Sequence, residues 1–158
     1  MRGFCNSKFR ENLVNEAESL PKGLEAIISI GFGECNGVIY ARELASPTPE
    51  SIADLMKPCM DLTGVECFFN KIHIEDFSGE ETVNNHNINI SHGLKFINCM
   101  SLAIKKIFPD DPIRFILSEK AGEFPSVVFR FHRKRSGESW ISEDIEGYDN
   151  GLYILDTD

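Results

Sequence analysis

No two cysteines in the 158-residue chain are spaced Cys-x-x-Cys, and the five present, Cys5, Cys35, Cys59, Cys67 and Cys99, are odd in number and scattered. That spacing excludes a zinc knuckle and a dithiol redox site, and the cysteines read as small core hydrophobes of a reducing compartment. No run approaches the roughly 20 apolar residues that cross a bilayer, and the opening decapeptide leads into the polar stretch 11–18 instead of an apolar signal-peptide core. A soluble, cytoplasmic protein with no membrane contact is expected. The chain also lacks a Gly-x-Ser-x-Gly elbow and a cysteine with an obvious histidine partner, so nothing in it signals a nucleophile. The four histidines, His73, His86, His92 and His132, are isolated. Strand spacing puts only His73 and Glu75 on one face, too few convergent ligands for a metal. Internal repeats, linkers and low-complexity tracts are missing too, which predicts one domain over residues 1–158 without catalytic residue, metal or cofactor.

What the chain has is acid: 25 Asp and Glu against 16 Lys and Arg, for a net charge of −9. Neutralising phosphates needs a basic footprint, so this balance opposes a general nucleic-acid or anionic-membrane surface and suits a basic partner, or simply maintains solubility. The 42% hydrophobic fraction is that of a globular protein long enough to bury a core without staples.

Hydrophobic periodicity supplies the elements. Ser7 caps an expected helix to Leu20, whose stripe is Phe9, Leu13, Ala17 and Leu20. Residues 24–32 alternate around Ala26, Ile28, Ile30 and Phe32 and predict a strand. Asn36-Gly37 then marks a hairpin into the strand 38–44. Strand-like residues follow Gly31, Gly33 and Gly37, a context that argues for a turn over a phosphate-cradling loop. The stretch Ser46-Pro-Thr-Pro opens a helix with Ile52, Leu55, Met56 and Cys59 inward. Residues 65–75 predict a strand whose apolar phase switches near Asn70, as a bulge would allow. A polar loop over 76–89 precedes the best helix, 90–108, which Pro109 stops. Strands at 113–117, 127–132 and 151–155 complete the chain. Adjacent strands without regular strand–helix alternation predict the α+β class: a mostly antiparallel or mixed sheet of five to six strands with about three helices packed on it.

The stretch 124–156 is the most distinctive. It reads as a strand ending in the basic cluster Arg130, His132, Arg133, Lys134 and Arg135, then an acidic segment with the only tryptophan, then a last strand. Phe129 and Phe131 alternate with Arg130 and His132. They form either an aromatic platform for single-stranded nucleic acid over 127–135 or, sharing a face with Val127, plain core. The basic strand end could equally pair with the acids downstream of Glu138. Trp140 and Tyr148 among carboxylates combine rigid aromatic anchors with a charged rim, as at protein interfaces. Consecutive acids such as Glu80-Glu81 and Glu143-Asp144 point apart and suit a solvated surface better than acid–base chemistry.

Residues 127–156 resemble the C-terminal part of small bacterial immunity proteins that protect a cell from its own polymorphic toxin, including those of contact-dependent growth inhibition systems. The resemblance covers about a fifth of the chain and lies in texture, without a diagnostic motif. It implies a cytosolic, non-enzymatic, acidic protein that occludes the active site of a cognate basic toxin domain, commonly a nuclease. Charge and aromatic placement then nominate Glu75, Asp76, Glu80, Glu81, Trp140, Glu143, Asp144, Glu146, Tyr148 and Asp149 as the partner-binding residues.

Overall fold

The computed structural model describes residues 1–79 and 85–157 and is of the expected α+β class. Its elements run β1 Arg2–Cys5, α1 Ser7–Glu11, α2 Lys22–Ile30, β2 Phe32–Cys35, β3 Val38–Ala41, α3 Pro49–Cys59 and α4 Leu62–Phe69. They continue with β4 Ile72–His73, a 3-10 turn Ile74–Phe77, α5 His86–Ile107, β5 Ile113–Lys120, β6 Ser126–Arg133 and β7 Gly151–Asp156. Five strands form one antiparallel sheet in the order β1-β7-β5-β6-β4, and β2 and β3 form a separate hairpin.

Helix α5 covers one sheet face. Phe96, Ile97, Met100 and Ile104 pack with Phe115, Leu117, Phe129 and Phe131, all fully buried. The Phe96 and Phe129 rings meet edge-to-face at 4.8 Å. A Cβ on Gly93 would stand 2.8 Å from the Leu117 side chain, so glycine sets how closely α5 approaches β5.

Helix α4 joins the hairpin to the main sheet. Its Glu66 is fully buried, yet accepts from the Ile39 amide of β3 at 2.8 Å and the Arg133 amide of β6 at 2.8 Å. One turn on, buried Asn70 accepts from the Ala41 amide and donates to the carbonyls of Ile39 and Phe131. Two side chains thus occupy the place of a strand between β3 and β6, satisfying edge groups that would otherwise be buried unpaired. Arg135 compensates the carboxylate with bonds of 2.7 and 2.8 Å. Burial nonetheless pushes the Glu66 carboxyl above its ordinary pKa, against the pull of Arg135 and the two amides.

Three expectations fail for physical reasons. The first helix stops at Glu11: Phe9 alone of its stripe is fully buried, Leu13 is 57% exposed, and Asn12 leaves the helix to donate to Glu119. The alternating stretch 24–32 is mostly helix α2, because Leu24 and Ile27 also satisfy a helical repeat and find their burial beside α5. Residues 65–75 hold no bulged strand. Asp61 caps α4 by accepting from the Gly64 amide at 2.7 Å, and the phase switch at Asn70 marks where helix gives way to β4. Strand β1 was not anticipated at all. By contrast, Asn36 and Gly37 turn with positive φ between β2 and β3, and Thr48 caps α3 in a capping box with Ser51.

Candidate functional site

The sheet face opposite α5 is covered by residues 134–150, a strap without regular structure linking β6 to β7. Ile141 and Ile145 are buried against Ile116, Leu152 and Ile154, with Phe4 and Tyr148 packed beside them. Buried Asn6 fastens the far end. Its amide donates to the carbonyls of Ile145 and Asn150 at 3.2 and 2.9 Å, while its oxygen accepts from the amides of Phe9 and Leu152. At the near end, the Arg130 guanidinium lies 5.3 Å from the centre of the Trp140 ring.

Between strap and sheet lies a cleft of about 980 Å³. Strand register sets its floor: Arg2, Asp156, Arg114 and His132 are successive cross-strand neighbours on β1, β7, β5 and β6. Arg114 donates to both Asp156 oxygens, at 2.8 and 2.7 Å, and Lys134 adds a third bond at 3.2 Å. Burial alone would raise the Asp156 pKa, but these cations hold it below the usual carboxylate value. His132 is 3% exposed, and its Nδ1 lies 2.9 Å from the Arg133 carbonyl oxygen. Nδ1 therefore carries the proton, and the Nε2 lone pair is buried without a partner. Burial, with Arg114 and Arg135 nearby, pushes the His132 pKa down to about 4 despite the carbonyl and Asp156.

The nominated residues fall into separate groups. Glu75 is part of the framework, its two oxygens taking the Val127 amide and the His73 ring. Asp76 is exposed beside it at the β4 edge, and Glu80 and Glu81 lie outside the described residues. Glu146 accepts from the Ser7 amide and hydroxyl, which lower its pKa, and Asp149 pairs with Lys8 at 3.3 Å. Both belong with β1 and α1, at the opposite edge of the sheet from Glu75 and Asp76. Tyr148 is half-buried, its hydroxyl accepting from the Ser142 amide. Trp140 is 41% exposed, and Glu143 and Asp144 are exposed on the strap, Glu143 at the rim of the cleft. Among the described residues, neither carboxylate has a cationic partner.

The basic cluster is largely spent inside the molecule. Arg133 pairs with Glu34 and Asp111, Lys134 with Asp156 and Arg135 with Glu66, so among the described residues downstream of Glu138 the acid that joins in these pairs is Asp156. Phe129 and Phe131 are fully buried under α5 and offer bases no stacking surface. Among the described residues no group of His, Cys, Asp and Glu could hold a metal, and all five cysteines are free thiols. Sequence reading overlooked Arg2 and Arg114, whose only signal is strand parity, unreadable until β1 and β7 are paired. No helix among the described residues is long and apolar enough to cross a membrane.

Fold and site together define an α+β protein with one sheet face under a helix and the other under an acidic strap. Over residues 4–158 the chain belongs to the family described as Uncharacterized protein PM0498. No curated protein and no solved structure matches it.

Proposed function

We propose that the protein is a non-enzymatic cytoplasmic immunity protein, binding a cognate basic toxin domain through the outer face of its strap. The observation that supports this reading is division of labour along the strap. Ile141 and Ile145 are buried against the sheet and fix the backbone, while Trp140, Asp144 and Glu143 stay exposed, Glu143 at the rim of the cleft, the two acids without an ion pair among the described residues. An interface built this way has an aromatic anchor and a steering field in place before the partner arrives, so little ordering entropy is lost on binding. The net charge of −9 extends that field.

The test is co-expression with the product of the neighbouring gene, followed by binding kinetics at two salt concentrations. Charge reversal by Glu143→Lys with Asp144→Lys should slow association roughly tenfold at low salt and less at high salt, while Trp140→Ala should speed dissociation by a similar factor. A stoichiometric complex whose rates ignore all three substitutions would refute the strap as the binding face. The single-stranded nucleic-acid reading of 127–135 is not carried forward, because its aromatic platform is core.

A further inference from the structure

The row beneath the strap has a buried, unpartnered nitrogen at one end and an exposed cation without an ion pair among the described residues at the other. At the β6 end, the Nε2 lone pair of His132 is buried and unpartnered, which costs free energy unless something donates to it. With Nδ1 turned to the backbone, Nε2 is the ring nitrogen left without a partner, and His132 is among the residues that line the cleft. At the β1 end, exposed Arg2 sits opposite Asp156, whose oxygens already receive Arg114 and Lys134. Arg2 has no ion pair among the described residues. Three inter-strand steps at roughly 4.8 Å put the two backbone positions about 14 Å apart, and the long Arg2 side chain can shorten that span from its end. Phe4, Ile141, Ile145 and Ile154 give the cleft an apolar wall between them.

We propose that this cleft is a binding site for a mononucleotide-sized anion, its phosphate on Arg2, its planar base against the apolar wall, and a base N–H donating to His132 Nε2. Such a ligand engages both groups at once, whereas an inorganic anion or a neutral nucleoside engages one. The site lies on the inner side of the strap and shares only Glu143, at its rim, with the surface assigned to a protein partner, so either can fail without the other.

The experiment is calorimetric titration of the intact protein at low salt with AMP, CMP, GMP and UMP, and with adenosine and inorganic phosphate as half-ligands. At least one nucleotide should bind roughly tenfold or more tightly than either half-ligand. Arg2→Ala, at an exposed position, should weaken the nucleotide about tenfold and leave adenosine unchanged. His132→Phe should weaken both, and in the unaltered protein a ¹⁵N spectrum should show His132 Nε2 moving as an acceptor does when it gains a hydrogen bond. No binding by any of the four nucleotides, equal binding by a half-ligand, or a nucleotide affinity indifferent to Arg2→Ala would overturn the proposal.

Discussion

His132 makes a measurable demand on stability. The fold holds its imidazole neutral, with a pKa depressed from 6.5 to about 4. As pH falls, the unfolded chain therefore takes up the proton before the native protein does. The stability tied to this group is whole above the unfolded value of 6.5 and drains away as the pH falls toward about 4. The full depression corresponds to about 3 kcal/mol, of which about 2.5 kcal/mol is gone by about pH 4.5. The groups facing the ring, Arg114, Arg135 and Asp156, keep their charges through that interval, Asp156 because Arg114 and Lys134 hold its pKa low. Urea unfolding at about pH 7 and 4.5 reads the effect directly: with a slope of about 2 kcal/mol per molar, the midpoint should fall by about 1 M on account of His132. In His132→Gln that part of the fall should vanish. A remainder should survive in both proteins, since burial also lowers the His92 pKa. Equal midpoint losses in the two proteins would show that His132 is not held neutral by the fold, and the reasoning would be wrong.

Glu66→Ala should destabilise the protein by about 3–5 kcal/mol, because Arg135 loses its carboxylate in a buried site and the amides of Ile39 and Arg133 lose their acceptor. Thermal unfolding measures this, and a variant as stable as the parent would mean that the two sheets hold together without α4. Asn6→Ala removes a helix cap and three long-range bonds, with an expected cost of about 2–3 kcal/mol. Hydrogen exchange should quicken at the Leu152 amide first, and unchanged protection there would contradict the role given to Asn6.

How legible each part was depended on how local its determinants are. The β5–β6 strands and the body of α5 follow from periodicity within a few residues and stand as expected, although α5 begins at His86, inside the expected loop, where Asn85 caps it. Residues 24–32 fit two repeats at once, and only packing beside α5 chooses the helix. Asn70 was read as a phase error because its partners, Ile39, Ala41 and Phe131, are remote in sequence. The same distance hid the cleft: nothing local in Arg2 reveals that it shares a row with Asp156, Arg114 and His132. Trp140, Glu143 and Asp144 were nominated from composition alone. Yet the buried anchors beside them, Ile141 and Ile145, went unnoticed among the acids.

Because β7 lies between β1 and β5, the last of the sheet's five strands in chain order fills the second place, with Arg2 opposite Asp156. On a ribosome the β5–β6 pair can form while β1, the first of these five strands in chain order, still has no neighbour. Its Phe4 then has neither a sheet to join nor a strap to cover it, and it must wait for Gly151–Asp156 to emerge. A chain arrested just short of β7 would therefore be missing two strands, not one, and would expose to chaperones and proteases the very face on which the cleft is built.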